Sequence, residues 1–105
     1  MITIQDIKDW SKPHPATSYK NYGDEEPKMS VFGTPKLKFS IVGGASGLYG
    51  DFKNTFEVAI IDEDGKFVTR YILGGNDDVV GWMTGEELEK LVNSILRKEN
   101  VVVGR

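Results

Sequence analysis

The feature that most limits what this chain can fold into lies near its C-terminal end. Leu88, Leu91, Val92, Ile95 and Leu96 follow an i, i+3, i+4, i+7, i+8 spacing, which gathers apolar side chains into one stripe of an α-helix. Thr84 stands three residues before Glu87, the arrangement in which each side chain bonds the other's backbone N–H and opens a helix. Met83 and Leu88 are placed to staple across that start. Glu86, Glu87 and Glu89 favour the positive end of such a helix, and Arg97 and Lys98 its negative end. A helix with a single apolar stripe must bury it, and the residues before it supply a surface to cover.

That surface is a sheet. Over Lys36 to Val42, Leu37, Phe39 and Ile41 point one way and Lys36, Lys38 and Ser40 the other. Thr55 to Ile61 repeats the alternation with Phe56, Val58 and Ile60, while Ala59 and Ile61 suggest cover on its second face as well. Asp62-Glu63-Asp64-Gly65 is a tight turn, closed by glycine in the left-handed region, and Lys66 to Leu73 is the expected return strand. Met29 to Phe32 and Val79 to Met83 are shorter strand candidates. Strands joined by short glycine-rich turns pair antiparallel.

At the other end, Thr3 caps a short helix in which Ile4, Ile7 and Trp10 share a face, and it stops before Pro13. Residues 11–28 hold three prolines, a glycine and no aliphatic side chain larger than Ala16. They read as a long loop, and such loops inside a domain are usually functional or disordered. The expected fold is therefore α+β. A small antiparallel sheet of three to five strands is packed by the C-terminal amphipathic helix, with a short N-terminal helix and the long loop. The 105 residues form one domain, divided as helix 1–10, loop 11–28, strands 29–83, helix 84–99 and tail 100–105. Val101 to Val103 has strand propensity, so the tail is expected to pair with a sheet edge or a second subunit.

Composition narrows the chemistry. With no cysteine there is no disulfide, thiolate metal site or cysteine nucleophile. The start of the chain lacks the basic and apolar segments of a signal peptide, and no run approaches a membrane span, so a cytoplasmic protein without membrane contact is expected. The net charge of −3 says little about partners, but acid clusters at Asp24-Glu25-Glu26, Asp62-Glu63-Asp64 and Asp77-Asp78.

Candidate chemistry tests poorly. A phosphate-binding glycine motif must open a helix, whereas Gly43 to Gly50 leads into Asp51-Phe52-Lys53-Asn54 and a strand. Asp62, Asp64 and Gly65 resemble part of a calcium loop, yet Ile60 and Tyr71 stand where the full pattern needs acids. His14, the one histidine, sits between prolines in the long loop with no neighbouring acid in sequence, and so gives no hint of a base held against a nucleophile. No catalytic residue, metal ligand or cofactor is assigned, and an enzyme is not expected.

Aromatic residues divide into two groups. Phe39, Phe56, Phe67 and Tyr71 alternate within strands and are expected in the core. Tyr19, Tyr22, Tyr49 and Phe52 lie in loops, where they either pack over sheet edges or form a binding surface, since tyrosine brings much contact area for little lost entropy. Phe56 to Ile95 runs strand, turn, strand, short strand, then Gly81-Trp82-Met83-Thr84-Gly85-Glu86-Glu87-Leu88 into the helix. This stretch resembles the PC4-type single-stranded DNA-binding coactivators. The resemblance implies a curved antiparallel sheet with a capped dimerisation helix and a basic face. It covers less than half of the chain, and the strands here dilute Lys36, Lys38, Lys66 and Arg70 with acid.

Two functions follow as expectations. The first is a non-enzymatic protein-binding module, an accessory or inhibitory factor of the small kind that bacteria and their phages carry. It would bind through Tyr19, Lys20, Tyr22, Asp24, Glu25 and Glu26, with a homodimer through the sheet edge or tail as a further arrangement. The second is a single-stranded nucleic-acid binder that uses Lys36, Lys38, Tyr49, Phe52 and Arg70.

Overall fold

The computed structural model describes residues 1–15, 27–45 and 48–103, with side chains through residue 98. The order is α1 (Ile4–Asp9), β1 (Lys12–Pro13), β2 (Lys28–Gly33), β3 (Leu37–Gly43), β4 (Thr55–Asp62), α2 (Thr69–Leu73), β5 (Val80–Thr84) and α3 (Gly85–Val103). The five strands form one antiparallel sheet in the order β1-β2-β3-β4-β5, so the α+β arrangement expected from the sequence is the one observed.

Both terminal helices start where their caps lie. The Thr3 hydroxyl accepts from Asp6 N at 3.1 Å and the Asp6 carboxylate from Thr3 N at 2.9 Å. At α3, Glu87 N donates to Thr84 Oγ1 at 3.2 Å and Thr84 N to Glu87 Oε1 at 3.0 Å. Those bonds hold the Glu87 carboxyl below the usual carboxylate range. Leu88, Val92 and Ile95 of α3, with Ile7 of α1, bury against Phe39 and Ile41 of β3 and Phe56, Val58 and Ile60 of β4. Ser30 of β2 is fully buried too, and its hydroxyl has no hydrogen-bond partner among the described residues. Asn93 ties α3 to the start of the chain, accepting from Ile2 N at 2.8 Å and donating to Ile2 O at 2.7 Å.

The face of the sheet away from α3 is partly covered by the chain itself. Val42, Ala45 and Leu48 form a second apolar cluster with Met29 against it. Ala59 and Ser40 are also buried, so Ser40 is not on a solvated face as its alternation with Lys36 and Lys38 implies.

The structure departs from the sequence reading at three elements. Lys12 and Pro13, expected in the long loop, pair with β2, opposite Met29 and Lys28. Residues 66–73 are not a return strand. The turn forms, with Gly65 at φ +83° and Asp62 N donating to Lys66 O at 2.9 Å, and Phe67 makes a single bridge to Ile61. The Thr69 hydroxyl then accepts Ile60 N at 2.8 Å, taking the place a strand carbonyl would fill, and the chain turns into α2. Third, the tail is not a strand, because α3 runs through Val103. Among the described residues no helix is long and apolar enough to cross a membrane.

Candidate functional site

The strongest surface feature begins at an irregularity in β5. Met83 pairs with Phe56 and Val80 with Val58, so Gly81 and Trp82 together stand opposite Glu57. This is a β-bulge, which bends an edge strand and re-aims a side chain. Trp82 takes it up at φ +57°, a left-handed conformation that costs a residue with a Cβ roughly 1–2 kcal/mol. The residue is nevertheless 62% exposed.

The segment after β3 folds back to meet it. Gly44 N donates to Gly50 O at 3.0 Å and Leu48 N to Ala45 O at 3.1 Å, and Leu48 seats in the second apolar cluster. Tyr49 is thereby laid on β5. Its carbonyl accepts Trp82 N at 2.7 Å, and its own N–H donates to Glu57 Oε1 at 3.2 Å. A Cβ on Gly81 would come within 2.4 Å of the Tyr49 Cβ, so only glycine lets the tyrosine lie so close. The Tyr49 and Trp82 rings meet edge to face, centroids 6.4 Å apart at 62°, and Tyr49 is 53% exposed.

Asp51 fixes the far end of this segment. Its Oδ1 accepts Lys53 N, Asn54 N and Thr55 N at 2.8–3.0 Å. These bonds, Thr55 foremost, hold the Asp51 carboxyl well below the usual carboxylate range. The turn carries Phe52 at φ +60° into the core, where its ring meets Phe56 edge on at 5.4 Å. Gly50 is required here too, because a Cβ would come within 2.8 Å of Phe56 Cα. Gly43 and Gly50 thus serve close packing of backbone on backbone.

A second exposed group lies on α2 and just before it. Phe67 and Tyr71, expected in the core with the supposed return strand, are 45% and 75% exposed. The Arg70 guanidinium lies 5.2 Å from the Tyr71 ring centroid. An open cleft of ≈ 490 Å³ between α1 and α3 is lined by Lys8, Lys53, Glu86, Glu89 and Lys90. Three of these charges are engaged within the chain, since Glu86 pairs with Lys90 at 3.3 Å and Glu89 accepts Ile4 N at 3.1 Å. Among the described residues no three His, Cys, Asp or Glu side chains gather to hold a metal ion.

The residues singled out in the sequence fare unevenly. Tyr19, Lys20, Tyr22, Asp24, Glu25 and Glu26 lie outside the described residues. Of the nucleic-acid set, Phe52 is 5% exposed and offers no stacking face. Lys38 pairs with Ile61, four residues along β4 from Glu57, about 13 Å away at strand rise. Lys36 lies beyond it and Arg70 is on α2, so these cations do not surround Tyr49. Trp82 was missed. Its signal was Gly81, since a lone glycine inside a strand marks a bulge or a close backbone approach. No family model, curated protein or solved structure matches the chain.

Proposed function

We propose that this protein is a non-enzymatic binding module that docks on another protein, as an accessory or inhibitory factor, with Tyr49 and Trp82 as anchors. One observation carries the reading. The chain holds Trp82 in a costly backbone conformation and leaves its ring exposed against an exposed tyrosine. Strain of this kind persists where surrounding structure enforces it, and it clusters at working sites. Tryptophan and tyrosine are the residues on which binding energy most often concentrates. Tyr19 and Tyr22 belong to the proposal as a second arm.

The test starts with a partner captured from the native host by the immobilised chain. Trp82→Ala should weaken that complex by about 2 kcal/mol or more, roughly 30-fold in Kd, with the unfolding midpoint little changed. Tyr71→Ala serves as an exposed aromatic control and should bind as the parent does. Equal affinity for Trp82→Ala and the parent would sink the proposal. If oligo-dT binds instead, with an affinity falling steeply as salt rises, the single-stranded nucleic-acid reading takes its place.

A further inference from the structure

We propose that the corner between the Tyr49 and Trp82 rings seats a cation, the ammonium of a lysine or the guanidinium of an arginine on the protein partner, with Glu57 as its counter-charge. The proposal rests on the binding-module reading and specifies the partner's chemistry.

Ring geometry comes first. Two rings at 62° with centroids 6.4 Å apart open a corner walled by aromatic surface. Aromatic faces carry the negative part of the ring quadrupole, and a cation within about 6 Å of a centroid is attracted to it. Charge comes second. The Glu57 carboxylate accepts the Tyr49 N–H at 3.2 Å, which fixes an anion at the foot of the pair. Residues 43–52 and 74–85, which carry the two rings, contain no lysine or arginine but include Asp51, Asp77 and Asp78. Lys53, the next cation along the chain, lines the cleft against α1 and α3. Glu57, the charge that touches this pair, thus favours a cation and disfavours a phosphate chain.

The molecule supplies its own comparison. On α2 an exposed tyrosine ring is capped by a cation from the same chain, Arg70 over Tyr71. Among the described residues no such cation stands over Tyr49 or Trp82, although they form the larger aromatic surface and have a carboxylate beside them. A basic segment of the partner would complete that contact.

The experiment reads the two tryptophan indole N–H signals of the full chain by NMR, Trp10 acting as the internal control. Tetramethylammonium and arginine are titrated separately at constant ionic strength, with tert-butanol as a neutral compound of similar shape. The Trp82 signal should move saturably in the millimolar range with both cations while Trp10 stays in place. Glu57→Gln, which keeps an oxygen for the Tyr49 N–H, should weaken the binding about fivefold, as expected for one charge a few ångströms away in water. A Trp82 signal that does not move, that moves equally with tert-butanol, or that responds unchanged in Glu57→Gln overturns the proposal. Any of these leaves the Trp82→Ala partner measurement to decide the binding-module reading separately.

Discussion

Removing the Thr69 hydroxyl while keeping the side chain's shape should cost more than removing its methyl group. Thr69 is fully buried, and its oxygen accepts the Ile60 N–H at 2.8 Å. The return bond to Ile60 O, at 3.4 Å, is long for a hydroxyl and contributes little. Thr69→Val preserves volume but leaves the Ile60 N–H, itself in the core, without an acceptor. An orphaned buried donor costs about 1–3 kcal/mol. At about 2 kcal/mol, and a urea dependence of about 1.5 kcal/mol per molar for a domain of this size, the midpoint falls by about 1.3 M. Thr69→Ser keeps the acceptor and loses one methyl, about 0.8 kcal/mol, so its midpoint should fall by only about half a molar. Urea unfolding followed by circular dichroism compares the three proteins, and amide exchange at Ile60 should speed up in Thr69→Val alone. If Thr69→Val is as stable as Thr69→Ser, the hydroxyl is not what turns residues 66–73 away from the sheet.

Other consequences can be checked directly. Gly81→Ala drives a Cβ into Tyr49; it should separate the Tyr49–Trp82 pair and shift the Trp82 fluorescence, and an unaltered spectrum would mean that the rings do not depend on this close approach. The Asp51 carboxyl is depressed by its bonds from Thr55, Lys53 and Asn54, so its contribution is present above its unfolded pKa of about 3.9 and is lost as pH falls through the lower folded value. The stability gap between the parent and Asp51→Asn should hold at neutral pH and narrow progressively as pH falls below about 4; a gap independent of pH would refute the assignment. Ser30→Ala removes a buried oxygen without a partner among the described residues and should leave the stability unchanged or raise it by up to about 1 kcal/mol; clear destabilisation would reveal a partner for that hydroxyl.

Much of the fold was legible because its signals are local. Thr3 with Asp6 and Thr84 with Glu87 are helix starts written within four residues. Phe39, Ile41, Phe56, Val58 and Ile60 show which strand face is buried, and all five are in the core. Residues 66–73 misled because Phe67, Thr69 and Tyr71 alternate as a strand would, while the outcome depends on one hydroxyl reaching Ile60, which periodicity does not encode. Phe52 misled for a related reason. It sits in a polar loop, but three amides converging on Asp51 turn it inward. Of the candidate site, Tyr49 was legible as an exposed loop aromatic. Trp82 was not, because a regular strand was assumed through Gly81, and the bulge becomes visible only once β4 and β5 are paired.

The succession of strands has a consequence for how the chain folds. Each strand pairs only with its neighbours in sequence, so the sheet can grow by closing short loops. The bond between Ile2 and Asn93, across 91 positions, is of another kind. Closing a loop of that length costs about 2 kcal/mol more than closing one of about ten residues. The sheet and α3 can therefore assemble first, and α1 engages last, as a clasp. In the folded protein it should also be first to release. Amides of α1, such as Ile7 and Trp10, should exchange with solvent through a smaller opening than those of β3; equal protection would show that the clasp and the sheet open together.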